Sequence, residues 1–155
     1  MRRALAIFCW VIAATTATAQ DTAIPDAIAQ WEVDRRVTFD ATLLDLDDFI
    51  WIARPVVIFA DSPNDPRFSQ QIDLLLELPD ELATRDVIVL TDTDPSANSA
   101  LRMRLRPRGF MMVLIGKDGE VELRKPSPLT VREITRSIDK MPLRRQEVED
   151  RRVQP

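Results

Sequence analysis

Val56-Val57-Ile58-Phe59-Ala60-Asp61-Ser62-Pro63-Asn64-Asp65-Pro66 is the stretch on which the fold turns. Its first half is an unbroken run of β-branched and aromatic residues, which suits a strand buried on both faces. Its second half is dense in turn formers, and Asp65-Pro66 reads as the N-cap and first residue of a helix. Phe68, Ile72, Leu75 and Leu76 then recur at the helical period, Pro79 stops the helix, and Leu82 sits in a short coda. Val87-Ile88-Val89-Leu90 is a second buried strand, too far along the chain for a hairpin. Strand, helix and strand at this spacing predict a βαβ unit with parallel strands.

Toward the carboxyl terminus, Asp94-Pro95 repeats the cap-plus-proline device before a helix carrying Leu101 and Leu105. Phe110 to Ile115 is a third apolar run, followed by Lys117-Asp118-Gly119 and then Val121-Glu122-Leu123. Asp-Gly between two extended runs signals a hairpin. Thr130 and Glu133 form a capping box for a last helix, whose buried face is Val131, Ile134, Ile138 and Met141, with Pro142 just past its end. Toward the amino terminus, Leu43, Leu44, Leu46, Phe49, Ile50 and Trp51 make an apolar cluster, read as a helical turn leading into the first core strand. Asp45, Asp47 and Asp48 between them read as a solvated face rather than a metal site. Trp31 and Trp51 are expected to anchor the core.

Met1-Arg2-Arg3, the uncharged stretch Ala4 to Ala14 and Ala17-Thr18-Ala19 read as a signal peptide, with cleavage expected before Gln20. The apolar part is too short and too rich in Ala and Thr to span a bilayer well, so no stable membrane anchor is expected after cleavage. The protein is therefore expected to be periplasmic or secreted. The single cysteine, Cys9, leaves with the signal, and the chain has no histidine. That excludes thiol chemistry, disulfides and a histidine-based active site from the mature part. Losing Arg2 and Arg3 makes the balance two charges more acidic than the net −4 of the whole chain. An acidic protein is a poor match for nucleic acid or an anionic membrane. The expected organisation is a signal peptide at 1–19, an irregular arm at 20–40 with room for a short amphipathic turn at Ala27, Ile28, Trp31 and Val33, one domain at 41–142 and a charged, fraying tail at 143–155.

The element order, βαβ, helix, hairpin and helix, resembles a thioredoxin-like domain most closely from Met112 to Ile138. The resemblance implies an α/β, three-layer sandwich: a βαβ unit plus a C-terminal β-hairpin and helix. It lays Pro63 and Pro66 on the two positions where thioredoxins carry Cys-x-x-Cys, and puts the family's cis-proline position near Met111, so the redox chemistry is expected to be missing. The chain also resembles a family of exported, thioredoxin-like bacterial proteins described only as a domain of unknown function. The residues that carry this are Phe49-x-Trp51-x-x-Arg54-Pro55, Arg85-Asp86, Leu114-Ile115-Gly116-Lys117-Asp118-Gly119 and Ile138-Asp139-x-Met141-Pro142-x-Arg144-Arg145-x-Glu147.

Asp61 and Asp65 of the first loop offer an acid/base pair, against which stands the plainer role of caps, since no nucleophile or cofactor lies nearby. Asp92-x-Asp94-x-Ser96 begins like a calcium loop, but Ala97 and Met103 stand where glycine and the bidentate acid belong. Arg102, Arg104, Arg106 and Arg108 alternate, and the resemblance puts Arg106 or Arg108 beside Asp61 and Asp65. The three glycines include no phosphate loop. The expected binding face is thus Asp61, Asp65, Arg106, Arg108, Phe110 and Met111, with no cofactor. Its partner is expected to be an envelope protein or an extended peptide, with the oligomeric state open. The alternative is a cysteine-free, hydrolase-like enzyme using Asp61, Asp65 and Arg108.

Overall fold

The computed structural model describes residues 23–153; the expected signal peptide, with Cys9 and the cleavage point, lies outside the described residues. Five strands form one sheet in the order β1-β3-β2-β4-β5. They are β1 (Thr38–Asp40), β2 (Arg54–Phe59), β3 (Val87–Asp92), β4 (Met111–Ile115) and β5 (Val121–Lys125). β1, β3 and β2 run parallel, and β4 and β5 run antiparallel to their neighbours. Among the described residues, six α-helices accompany the sheet: α1 (Ala23–Val33), α2 (Pro66–Leu76), α3 (Pro79–Ala83), α4 (Ala100–Leu105), α5 (Val131–Ile138) and α6 (Pro142–Val153). This is the expected thioredoxin-like α/β sandwich.

The central strand explains the layering. Val57 and Phe59 face a core shared with Trp31, Phe49, Leu101 and Leu105, while Val56 and Ile58 face Leu75, Ile134 and Ile138 on the other side. All four β2 side chains are fully buried, and each such burial contributes about 1.5–3 kcal/mol. Asp65 accepts a hydrogen bond from the Arg67 N–H and Pro66 takes the first helical position, so α2 begins where its sequence says it should. Gln71 of α2 is buried and exchanges two 2.9 Å hydrogen bonds with the backbone of Leu129, tying α2 to the segment that leads into α5. Thr130 and Glu133 close the capping box of α5. Gly119, at φ +82°, makes the tight turn between β4 and β5.

Several expectations are corrected. The stretch 20–40 is no irregular arm over its described part: α1 buries Ala27 and Trp31, one helical turn apart, and β1 buries Phe39. The Trp31 indole N–H donates to the Val87 carbonyl at 3.0 Å, which fixes α1 against β3. A three-residue strand with one inward side chain is too short for its alternation to be read. The tail does not fray from Leu143: it forms α6, with Arg144 buried. Pro79 ends one helix and opens another, and Asp94 caps a single 3-10 turn while Ser99 caps α4. Trp51 is not a core anchor. It sits at φ +63°, two-thirds exposed, in the turn that reverses the chain into β2. Leu43 of the same apolar cluster is also exposed, whereas Leu44, Leu46 and Phe49 are buried.

Candidate functional site

The carboxyl ends of β2 and β3 hold the residues expected to form the binding face. There Asp65 is engaged twice, as the cap of α2 and in an ion pair with Arg67, Nη2 to Oδ2 at 2.9 Å. Hydrogen bonding from Arg67 holds the Asp65 carboxyl below the ordinary aspartate range. Asp61 is exposed, and the guanidinium that comes closest is that of Arg102 at 4.0 Å, not Arg106 or Arg108. Arg106 adopts a left-handed conformation at the end of α4, and both Arg106 and Arg108 are exposed without an ion pair among the described residues. The expected trio of Asp61, Asp65 and Arg108 is therefore not assembled. Phe110 is not on the surface: it is 1% exposed, with the Arg67 guanidinium 5.5 Å above its ring. Met111, half-buried, opens β4 opposite Phe59.

The buried centre of this end is Asp92, which sequence reasoning treated only as the start of a calcium loop. Arg102 Nε donates to Asp92 Oδ1 at 2.8 Å, and the Ser99 hydroxyl donates to Oδ2 at 2.5 Å. The same guanidinium donates to the carbonyls of Ala60 and Asp92 and lies 5.4 Å from the Phe59 ring. Arg102 thus clasps the ends of β2, β3 and α4 together. Asp94 is occupied with Ser96 and holds no calcium geometry, and no cluster of three metal-ligating residues exists among the described residues. Arg104 turns away to Asp47 at 2.6 Å. What stays open is backbone. Between Arg106 and β4, the peptide groups of residues 107–110 make no hydrogen bond among the described residues, although Pro107 has no N–H and Phe110 is buried, which leaves Arg108 and Gly109 as the accessible pair. Gly109, at φ +62°, sits so close to the loop that a Cβ there would lie 3.9 Å from Asp61 Oδ2.

The amino ends of the same strands carry a second, denser constellation. Arg54, the first residue of β2, is fully buried and donates to the Arg85 carbonyl at 2.9 Å and to Glu147 Oε1 at 2.8 Å. Glu147 also meets Arg144 at 3.1 Å and Lys117 at 3.3 Å. Lys117 reaches on to Asp86 at 2.8 Å, where Arg35 and Arg151 converge as well. Arg85 holds Asp139 through Nε and Nη2. Burial opposes the charge on Glu147, but hydrogen bonds from Arg54 and Arg144 outweigh it and keep the carboxyl below its usual range. Asp86 behaves alike: burial opposes its charge, and Lys117 and Arg35 overcome the effect. Sequence reasoning quoted Arg54, Asp86, Lys117, Asp139, Arg144 and Glu147 as family marks and gave them no role. The available signal was a lone arginine opening an otherwise apolar strand, which cannot be buried without a partner.

The sequence profile described as "Domain of unknown function (DUF4174)" matches residues 45–147. That span contains all six of those residues. No curated protein matches the chain. Among solved structures, reduced desulfothioredoxin from Desulfovibrio vulgaris Hildenborough is similar at a TM-score of 0.51 and 18% identity, over 68% of this chain and 98% of that one. Thioredoxin peroxidase I of Plasmodium yoelii is similar at 0.44 and 19% identity, over 68% of this chain and 80% of that one.

Proposed function

The chain belongs to the family described as a domain of unknown function (DUF4174), and from its own geometry we propose that it is a non-catalytic binding module of the cell envelope. It takes an extended peptide, or an extended segment of an envelope protein, against the open backbone of residues 107–110. It does so after export and cleavage before Gln20, in the periplasm or outside the cell. One observation carries this reading: Asp65 and Asp92 are engaged by Arg67 and Arg102, while the neighbouring peptide groups have no hydrogen-bond partner among the described residues. Unpaired backbone beside a sheet is what strand-like peptide recognition uses. Asp61, Arg106 and Arg108 stand around that segment as exposed charges that select among peptides. Pro63 and Pro66 at the thiol positions are consistent with a role that transfers no electrons.

The cysteine-free hydrolase is the weaker reading, because an acid/base carboxylate working near neutral pH needs a raised pKa and Asp65 is shifted downward. The test is a peptide-binding series with a photo-crosslinking residue in place of Arg108, followed by mapping of the crosslinked fragment. Crosslinks to extended peptides that are competed by unlabelled peptide support the module. Turnover of an ester or peptide substrate that Asp61→Asn abolishes would replace it with the enzyme, and insulin reduction above background would overturn both.

A further inference from the structure

Gly109 stands in the open segment beside Arg108, and the place its missing side chain would take is bordered by two charges. At φ +62°, a Cβ on this residue would lie 3.9 Å from Asp61 Oδ2 and 4.0 Å from Arg67 Nη2. No other atom outside the two chain neighbours comes within 4 Å of that point. The carboxylate and the guanidinium therefore border one small gap, and can stand no further apart than those two distances laid end to end.

The two groups do not close on each other. Arg67 gives Nε and Nη2 to Asp65, at 3.2 Å and 2.9 Å, and its Nη1 donates no hydrogen bond among the described residues. Asp61 accepts none among those residues, and meets only the Arg102 guanidinium at 4.0 Å. Both side chains are reachable from water, Asp61 at 64% exposure and Arg67 at 50%. The charges around the gap are mixed. Asp65 holds Arg67, Asp92 holds Arg102, and Arg108 is exposed without an ion pair among the described residues. A cationic ligand group would thus meet Arg67 and Arg108, and an anionic one would meet Asp61 and Asp65. A neutral group that both donates and accepts meets neither penalty.

We infer that the peptide taken at this segment carries an asparagine or glutamine where it crosses Gly109, an inference that rests on the peptide-binding reading above. A carboxamide has two N–H donors and a carbonyl acceptor. Its NH2 donates to Asp61, and its carbonyl accepts from the uncommitted N–H groups of Arg67. The amide oxygen and nitrogen lie about 2.3 Å apart, and a hydrogen bond of about 2.9 Å on either side gives a reach of up to about 8 Å. That covers the largest separation the gap allows. A hydroxyl, with one atom to serve both partners, reaches only about 5.7 Å. Glycine at 109 keeps the gap open, because any side chain there would project between the two charges.

A library of short peptides, randomised in sequence, is passed over the immobilised protein, and the retained pool is sequenced against the input. Asparagine and glutamine should be enriched at one position of that pool, with lysine and glutamate depleted there. Changing this residue to alanine in a retained peptide should weaken binding by about tenfold or more in fluorescence anisotropy, since two hydrogen bonds to charged groups are lost. Asp61→Ala should shrink that difference to about threefold or less. Its melting temperature stays unchanged, because Asp61 is exposed and holds no close partner. The double variant Asp61→Ala, Arg67→Ala should abolish the difference. A retained pool without carboxamide enrichment, or a preference that survives intact in Asp61→Ala, overturns the inference and leaves the peptide module standing. No peptide retained above an empty matrix overturns both.

Discussion

The two ends of the same parallel strands use charge in opposite ways. At the carboxyl end, Asp61, Arg106 and Arg108 stand in water, and only Asp92 with Arg102 and Ser99 is sealed into the fold. At the amino end, a fully buried arginine is neutralised by a glutamate from the last helix, and the pair joins a chain of contacts running through Lys117 to Asp86. Exposed ion pairs contribute little to stability, whereas a buried charge stripped of its partner costs several kcal/mol. The amino-end network and the Asp92–Arg102 pair therefore tolerate charge substitution least, while Asp61, Arg106 and Arg108 are free to diversify.

The sharpest way to break this contrast is Glu147→Ala. It leaves the Arg54 guanidinium buried and unpaired, and chemical denaturation should show a loss of about 3–5 kcal/mol. A loss below about 1 kcal/mol would mean that Arg54 finds another partner and that the two ends are alike. Acid should act on the same groups. Asp86 and Glu147 are held below their unfolded values, so their contribution is fully present above the unfolded pKa near ~4 and is lost as pH falls through the lower folded values. The melting temperature should be level from about pH 7 to 5 and drop below about pH 4. Glu147→Gln should make that acid limb shallower. Ser99→Ala comes next: it removes the cap of α4 and a hydrogen bond to buried Asp92, and should cost about 1–2 kcal/mol in the same denaturation assay. Arg108→Ala is smallest, within about 0.5 kcal/mol, while peptide capture weakens. An early-melting Arg108→Ala variant that binds normally would turn the carboxyl-end face into a structural feature.

The fold was legible wherever a pattern repeats within a few residues. The β2 and β3 runs, the Asp65-Pro66 start of α2, the Asp118-Gly119 turn and the Thr130 capping box all carry their own local signal, and the structure has each of them. What escaped depends on partners far away in sequence. α6 buries no apolar stripe to announce it; its attachment runs through Arg144 and Glu147 to residues as distant as Arg54. α1 is held by one indole and one small side chain. Trp51 looked like core because it follows Phe49 and Ile50, yet a left-handed turn swings it outward. For the candidate face, the closeness of Gly109 to Asp61 followed from topology. The choice of Arg102 over Arg106 and Arg108 did not, because side-chain reach depends on where α4 ends.

The pairing of Arg54 with Glu147 spans 93 residues, which has a consequence for birth order. A chain that emerges amino end first, from a ribosome or a translocation pore, exposes β2 long before α6 exists. Until then, closing the sheet over Arg54 would trap a bare cation in a low-dielectric interior, so early collapse is held back by desolvation. A chain cut before α6 is therefore expected to be less stable, because Arg54 keeps only the Arg85 carbonyl as a partner.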